Sequence, residues 1–435
     1  METKSKRLGD ACSGRGHDPD HLDLLLRHPR IPGKSVYVIG SGFSRPLETP
    51  VIADFVSLGL AILKGRKEPK DDRWKKHETL IRRIVEIANN CRRKLSSVQD
   101  KEPDLEDVFC MADLLHDKVD PTEKSATGKI KQSTDKIEQS LVLAEFVRKV
   151  CHEAFDSHRK LPVAQRSVPR AHLFSKDYDT PSHELTGEAG SNIPGVCLYH
   201  AFLSQVLSEQ CSPGNFEKPE LKSYAGPAIV SLNYDLVVEK KLETLENKRR
   251  ASFEKIGCFY GRHVCNGDPE WKDGTCRLPL VKLHGSVDWE RLSECGCCIK
   301  RMEDWTTLTA ESSGASERWP MIFPSWQRAS LQGTVFAKLL NEARIHLRLA
   351  SRIVFIGYSI PATDRYIRYL LADVFDTAEM PEIEVANLWQ HGEALRHVTA
   401  MMGVRAARSM TKNYPEGLVG LVKSKRDPSS VGSSV

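Results

Sequence analysis

Long hydrophobic runs are missing from this sequence of 435 residues. A membrane-spanning helix needs about 20 consecutive apolar residues, whereas the longest apolar runs, such as Leu58–Leu63 and Ile353–Ile356, fit a short helix or a strand. Residues 1–20 are polar and contain no apolar run of the kind that a signal peptide carries. We therefore expect a cytoplasmic protein with no membrane contact, whose cysteines are mostly reduced thiols.

A large excess of one charge is also missing. Lys and Arg number 63 against 58 Asp and Glu, which gives a net charge of +5. This small surplus argues against direct nucleic-acid binding. Residues 64–83 are locally basic, but such a run is more typical of a solvated linker and helix face than of a nucleic-acid patch. With 40% hydrophobic and 28% charged residues, the composition is that of an ordinary globular protein.

The cysteine pattern lacks the second half of a zinc site. Structural zinc sites commonly use two C-x-x-C pairs separated by about 15–20 residues. Here only Cys295 and Cys298 have that spacing, and no matching pair follows them. We expect no metal, unless the fold brings Cys258, Cys265 or Cys276 close to this pair.

Strand-like and helix-like patterns alternate along much of the chain, which predicts an α/β fold with a Rossmann-like, mainly parallel sheet and helices on both faces. The predicted strands are 35–39, 228–232, 278–283, 352–356 and 383–388. Helical spacing of apolar residues predicts helices at 198–207, 334–350 and 365–375, among others. We divide the chain into an N-terminal arm (1–34), an α/β domain (35–390) split by a helical insertion at about 64–225, and a C-terminal helix and tail (391–435).

A glycine-rich loop follows the first predicted strand. It reads Gly40-Ser41-Gly42-Phe43-Ser44, and glycines at such a place let the backbone approach a pyrophosphate. The G-x-G-x-x-G fingerprint is incomplete, because Arg45 stands at the third glycine, and no Walker sequence occurs in the chain. The alternative is a tight turn after a strand.

Polar residues also follow two later strands. Asn233 and Asp235 come after the second predicted strand, and His284 comes after the third. An Asn-x-Asp is commonly a turn, and a single His is commonly structural. In open α/β sheets, however, ligands bind outside the carboxyl ends of the strands. A His-Gly beside a phosphate loop and an Asn-x-Asp is therefore a better catalytic candidate than a His alone.

These segments, taken in order, resemble the sirtuin-like (silent information regulator two-like) superfamily, in the prokaryotic branch often linked to antiphage defence. The resemblance spans about 38–371. The segments that carry it are VIGSGFSRPLETPVIADF at 38–55, DLEDVF at 104–109, VSLNYDLVVEK at 230–240, LVKLHGSVDW at 280–289, MIFPSW at 321–326 and IVFIGYSIPATDRYIRYLL at 353–371.

The resemblance implies a set of residues that bind NAD. Asp54 and Phe55 are similar to the Asp-Phe of a second cofactor loop, although Val56 replaces the Arg that follows in the family. Asp364 lies in the G-Y-S-x-P-x-T-D signature of the branch. The other residues implied to bind NAD are Gly40, Ser41 (in place of Ala), Gly42 and Ser44 in the dinucleotide loop, Asp235 at the nicotinamide amide, and Gly357 and Ser359 on the adenosine side.

The resemblance also implies the catalytic pair and the reaction. His284 matches the catalytic His, and Asn233 matches the Asn that positions the ribose and water. Since deacylating sirtuins carry a four-cysteine zinc module that this chain lacks in part, we expect an NAD glycohydrolase, with NAD as substrate. The alternatives are a protein deacylase and a non-catalytic sensor of NAD or ADP-ribose. An NAD-depleting enzyme needs control, so we also expect a homo-oligomer or an activating partner.

Overall fold

The structure is a computed structural model that describes part of the chain. The described residues are 25–44, 79, 82, 85–86, 198–209, 224–248, 256–259, 276–291, 299–301, 335–359, 364–377, 379–389 and 391–426.

A parallel sheet forms the centre of the described structure. Its strands run across the sheet in the order β3-β4-β2-β1-β7-β8-β9, and every neighbouring pair is parallel. A separate antiparallel pair is formed by β5 and β6. The strands are β1 (Ile31–Ile39), β2 (Ala228–Ser231), β3 (Ile256–Phe259), β4 (Cys276–Lys282), β5 (Trp289–Arg291), β6 (Ile299–Arg301), β7 (Ala350–Ile356), β8 (Glu382–Ala386) and β9 (Met410–Tyr414).

Helices cover the sheet in two groups that are defined by their mutual packing. In one group α2 packs against α3 and α8, and in the other α5 packs against α4 and α6. The helices are α1 (Ser41–Ser44), α2 (Leu198–Ser208), α3 (Val237–Lys248), α4 (Val335–Leu349), α5 (Arg365–Phe375), α6 (His391–Met402), α7 (Val404–Arg408) and α8 (Leu418–Arg426). The predicted α/β class with a parallel sheet and helices on both faces is confirmed.

The apolar pattern explains the central elements. All four residues of β2 are buried, as expected for a strand covered on both faces. Helix α5 buries Ile367, Leu370, Leu371 and Val374, whose spacing places them along one side of the helix. These elements agree with the sequence prediction apart from their end residues.

Two segments that the sequence prediction placed outside the α/β domain contribute strands to the sheet. Strand β1 begins at Ile31, inside the predicted arm, and β9 lies in the segment predicted as helix and tail. Gly33, with φ of +77°, and a register shift between Ile31 and Ser35 interrupt the apolar pattern of β1. In β9 only Tyr414 is buried, so this edge strand has no continuous apolar run to reveal it.

The arm is also tied to the helices through Arg30. Its guanidinium donates hydrogen bonds to the carbonyl oxygens of Leu347 and Arg348 in the last turn of α4 and to that of Ala350, the first residue of β7. It also donates to the carbonyl oxygen of Val374 in the last turn of α5. The last carbonyls of a helix have no partner within the helix and carry partial negative charge. One arginine therefore caps two helices at the edge of the sheet where β7 begins.

Most of the predicted insertion at about 64–225 lies outside the described residues, and its division from the α/β domain stays a prediction. Helix α2, which lies near the end of the predicted insertion, is described and belongs to the main core. The hydroxyl of Tyr199 donates to the carbonyl oxygen of Phe43 at 2.8 Å, and the ring of Phe202 packs edge-on against Tyr37 at 5.3 Å. This helix thus supports the glycine-rich loop from one side.

Candidate functional site at the carboxyl edge of the sheet

The predicted site residues follow four neighbouring strands. Across the sheet, β4 leads to His284, β2 to Asn233, β1 to Gly40 and β7 to Gly357. After β1 the chain adds β2 on one side of it and, later, β7 on the other side. This reversal of strand order is the place where open α/β sheets bind ligands. The predicted residues therefore meet at the switch point of the sheet.

The glycine-rich loop is packed directly against the loop that follows β7. The amide of Gly40 donates to the carbonyl oxygen of Ile356 at 3.0 Å, and that of Gly42 donates to Gly357 at 2.8 Å. A Cβ atom on Gly40 would lie 2.8 Å from the Cα of Tyr358, and one on Gly42 would lie 2.8 Å from the Cα of Gly357. Close contact between two backbones accounts for these glycines.

This packing restricts how the loop can hold a phosphate. The amides of Gly40 and Gly42 are used as described, and that of Phe43 donates to the carbonyl oxygen of Gly40 at 2.9 Å. These three N–H groups are not available to a phosphate in this arrangement. A pyrophosphate here would rely on other donors, of which half-exposed Ser41 is the nearest in the chain. The assignment of Gly40, Ser41, Gly42 and Ser44 to a dinucleotide loop stays a prediction.

A chain of hydrogen bonds runs from Asn233 through Ser44 to Asp235. This network joins the loops that follow β1 and β2. The amide nitrogen of Asn233 donates to the carbonyl oxygen of Gly40 at 3.0 Å and to the hydroxyl of Ser44 at 3.2 Å. Ser44 in turn donates to Asp235 at 2.7 Å. Since an amide NH₂ has two donors, Asn233 would meet a ligand through its oxygen, as an acceptor.

Asp235 also has a structural role. Its second carboxylate oxygen accepts a hydrogen bond from the amide of Val237, the first residue of α3, at 3.0 Å. Acidic side chains commonly satisfy the first N–H groups of a helix in this way. The same carboxylate therefore caps α3 and binds Ser44, which fixes its orientation toward the glycine-rich loop.

A buried lysine beneath this network was missed by the sequence analysis. The ammonium group of Lys282, 1% exposed, forms an ion pair with Glu239 at 2.9 Å and donates to the hydroxyl of Ser286 at 2.8 Å. It also donates to the backbone carbonyl of Asp235. A charged residue at the end of a buried strand was the available signal, because such a residue is rarely buried unless it is paired. Lys282 ties the Asn-x-Asp segment to the His-Gly turn.

His284 is buried and held by the backbone. Its Nδ1 lies 3.1 Å from the carbonyl oxygen of Leu232, and its ring lies 6.0 Å from the half-buried ring of Tyr234. A carbonyl oxygen can only accept a hydrogen bond, so Nδ1 carries the proton in this contact. Nε2 is then the ring nitrogen that is left to take part in proton transfer with a ligand or water.

Asp364 lies beside His284, although Asp364 follows β7 and His284 follows β4, which are not neighbouring strands. Its Oδ2 is 4.0 Å from Nε2 of His284 and accepts a hydrogen bond from the hydroxyl of Tyr358 at 2.9 Å. Both carboxylate and imidazole are buried. Tyr358 was not among the predicted site residues, and its position in the Gly-Tyr-Ser segment was the only signal for it.

The remaining predicted site residues have fewer contacts with the side chains described above. Gly357 belongs to the packed loops, whereas Ser359 is exposed and has no described contact with the residues above. Asp54 and Phe55, the second cofactor loop implied by the resemblance, lie outside the described residues, so their role stays a prediction.

The described part of the chain contains no group of three or more His, Cys, Asp or Glu residues that could hold a metal ion. It also contains no helix long and apolar enough to cross a membrane. Of the cysteines considered for zinc, Cys258 and Cys276 lie in the neighbouring strands β3 and β4, and Cys265, Cys295 and Cys298 lie outside the described residues.

The chemistry of this edge is that of hydrogen-bond acceptors and negative charge. The carboxylate of Asp364 lies beside the imidazole of His284, and that of Asp235 is joined through Ser44 to the amide of Asn233, whose oxygen is an acceptor. Such groups bind hydroxyl groups and stabilise positive charge that develops on a ligand. They do not form a nucleophile–base pair of the kind that Ser or Cys hydrolases use.

No protein-family model and no curated protein matches this chain. A crystal structure of Sir2 with the inhibitor EX-527, 2′-O-acetyl-ADP-ribose and a deacetylated p53 peptide is similar over 95% of this chain and 100% of that chain, with 10% identity and a TM-score of 0.33. A sirtuin structure concerned with substrate affinity is similar over the same shares, with 12% identity and a TM-score of 0.34. Similarity of this extent identifies neither a family nor an activity.

Proposed function

We propose that the protein is an NAD glycohydrolase that cleaves the bond between nicotinamide and ribose. The observation that carries the proposal is the position of His284 beside Asp364 and next to the Asn233–Ser44–Asp235 network. The groups lie at the switch point of a parallel sheet, where such folds bind nucleotides. The motif resemblance agrees with this assignment.

The reaction has requirements that these residues meet. Breaking the C–N bond leaves the electron pair on nicotinamide and develops positive charge on the ribose, as in other glycoside cleavages. The carboxylates of Asp235 and Asp364 favour that charge. Water then attacks the ribose carbon, and its proton passes to Nε2 of His284. The products are nicotinamide, ADP-ribose and one proton.

In this scheme Asn233 acts only as a hydrogen-bond acceptor. Its two N–H groups are bound to Gly40 and Ser44, which fixes the direction of its oxygen. That oxygen is suited to accept a hydrogen bond from the attacking water or from a ribose hydroxyl. A fixed acceptor of this kind contributes by orienting the reactants.

The cellular setting belongs to the same proposal. The resemblance favours a cytoplasmic effector that depletes NAD in antiphage defence, under the control of self-assembly or of an activating partner. The helical insertion at about 64–225 is the expected place for these contacts.

The test is to incubate the full chain with NAD and to separate the products by chromatography. We expect nicotinamide together with ADP-ribose or its cyclic isomer, and no need for an acyl-lysine peptide. Release that depends on such a peptide would indicate a deacylase. Binding of NAD without nicotinamide release, by an assembled preparation, would indicate a sensor.

A further inference from the structure

Residues 231–235, at the end of β2 and in the loop after it, are bound along their length to residues 282–287, at the end of β4 and in the turn after it. Four carbonyl oxygens accept hydrogen bonds across this contact: Ser231 from Leu283, Leu232 from His284, Tyr234 from Val287 and Asp235 from Lys282. The side chain of Asn233 is instead bound to Gly40 and Ser44. The loop after β2 therefore links the glycine-rich loop to the turn after β4.

The buried ammonium group of Lys282 joins three parts of this contact. It forms the 2.9 Å ion pair with Glu239, in the first turn of α3, and donates to the carbonyl oxygen of Asp235. It also donates to the hydroxyl oxygen of Ser286 at 2.8 Å. Ser286 gives its own proton to the carboxylate of Asp288 at 2.6 Å, so its oxygen is the acceptor for the ammonium. These polar side chains are at most 2% exposed, apart from that of Asp235.

The partners of Lys282 flank two residues of the candidate site. Lys282 and Ser286 stand two residues before and two residues after His284, so the bond between them closes the turn that carries the imidazole. The carbonyl oxygen of Asp235 is bound to Lys282, while its carboxylate caps α3. Lys282 therefore restrains an imidazole and a carboxylate at once, although its own side chain is buried.

Stability alone does not account for a buried ion pair at this place. Removing two charges from water costs about as much free energy as their attraction returns, and apolar replacement of both partners is often neutral or stabilising. A buried pair can instead select one arrangement of the elements that it joins. Here those elements are α3 and the two loops that carry Asp235 and His284.

We propose that Lys282 is a positioning residue for the reaction. Through its ion pair with Glu239 and its bond to Ser286, it fixes the imidazole of His284 relative to the carboxylate of Asp235. The inference rests on the proposed function for the reaction that is served, and on the contacts of Lys282 for the positioning itself.

The experiment separates positioning from stability. Lys282→Met alone removes the cation that faces buried Glu239, and should lower the midpoint of urea unfolding. The double variant, Lys282→Met with Glu239→Met, replaces the pair by apolar side chains of similar size and should recover most of that loss. Its kcat for nicotinamide release from NAD should nevertheless stay about 10- to 100-fold below that of the wild type, with a smaller change in KM, because orientation is lost.

A second readout does not depend on turnover. In protein with isotope-labelled histidine rings, the nitrogen chemical shifts of His284, assigned by their loss in His284→Gln, report which ring nitrogen carries the proton. The wild type should show the proton at Nδ1, as the contact with Leu232 requires. The double variant should show shifts that have moved toward a mixture of the two tautomers. A change in stability alone would leave the shifts unaltered.

Two further variants complete the design. Ser286→Ala removes the bond from Lys282 to the turn and keeps the ion pair, so it serves if the double variant is unfolded; both readouts should change in the same direction by a smaller amount. The matched control is Arg344→Gln with Asp373→Asn, which removes a more exposed ion pair between α4 and α5. It should keep the wild-type kcat and the wild-type shifts of His284.

The outcomes distinguish this inference from the proposed function. If the His284 shifts of the double variant, or of Ser286→Ala where the double variant is unfolded, equal those of the wild type, the inference is wrong. It is also wrong if the shifts move while the wild-type kcat is retained. If the shifts move but the wild-type chain releases no nicotinamide, the positioning of His284 by Lys282 stands and the glycohydrolase proposal fails.

Discussion

The amide of Gly42 donates a 2.8 Å hydrogen bond to the carbonyl oxygen of Gly357, and this bond joins the loops that follow β1 and β7. Gly357 has a φ of +58°, and a Cβ atom there would overlap the backbones of Gly42 and Phe43. The two loops therefore keep their places at the switch point only while both residues lack side chains.

Gly357→Ala is expected to force these loops apart. The left-handed backbone alone costs about 1–2 kcal/mol for an alanine, and overpacking adds roughly 1–3 kcal/mol. Gly417→Ala is the matched control, because Gly417 has a φ of +62° and a Cβ atom there would meet only the end of the Leu388 side chain, at 3.9 Å. Urea unfolding should show a larger loss of unfolding free energy for Gly357→Ala than for Gly417→Ala, and weaker NAD binding only for Gly357→Ala. An equal loss of unfolding free energy in Gly357→Ala and Gly417→Ala would show that the backbone contact is not required.

Asn233→Asp tests the network between the loops after β1 and β2. The change keeps the size of the side chain, removes the donors to Gly40 and Ser44, and adds a carboxylate near Asp235. We expect a loss of about 1–3 kcal/mol in unfolding free energy and a fall in nicotinamide release of at least about tenfold.

The control for this change is Asn413→Asp on the edge strand β9, where the amide donates to the carbonyl oxygen of Trp389 at 2.9 Å. It should lower stability by a similar mechanism and leave nicotinamide release unchanged. If both variants keep full turnover, the network has a structural role alone.

A buried histidine far from the proposed site is expected to control acid stability. Burial, and then the nearby charge of Lys34, lower the pKa of His346 from 6.5 to about 3, although Glu342 opposes them. Nδ1 of His346 lies 3.2 Å from the ammonium of Lys34, and Nε2 lies 3.8 Å from Glu342. The imidazole is therefore neutral in the folded protein and becomes protonated only on unfolding as the pH falls below 6.5.

Stability contributed by this site is present above pH 6.5 and decreases as the pH falls toward 3. Between pH 7.5 and pH 5 the wild-type chain should lose about 2 kcal/mol more unfolding free energy than His346→Gln. Urea unfolding of both proteins at the two pH values measures this difference, whatever the variant costs at neutral pH. An identical pH dependence of the two proteins would contradict the assignment of a neutral buried imidazole.

The sequence was sufficient for the parts of the fold that carry a regular apolar pattern. Strands such as Arg352–Ile356 and helices such as Arg365–Phe375 show their burial directly in residue spacing. The edge strand Met410–Tyr414 does not, because most of its side chains face away from the core. Its pairing with β8 is a tertiary interaction that no local pattern encodes.

Local sequence patterns also predicted only part of the candidate site. That Asn233, His284 and the glycine-rich loop share one edge follows from the geometry of a parallel sheet. The position of Asp364 beside His284 does not, because the two residues follow strands that are not neighbours in the sheet. The use of the Gly42 amide by Gly357 was likewise not predictable, since a glycine-rich loop that binds phosphate and one that packs against a neighbouring backbone have the same sequence.

The most direct test of the proposed function is nicotinamide release from NAD by the wild-type chain and by His284→Ala, measured side by side. Removing a general base lowers the rate by about 100- to 10,000-fold, while folding, followed by circular dichroism, should be retained. His391→Ala, which changes an exposed histidine at the start of α6, should release nicotinamide at the wild-type rate. We expect turnover by the wild type and by His391→Ala and almost none by His284→Ala; full turnover by His284→Ala would contradict the proposal.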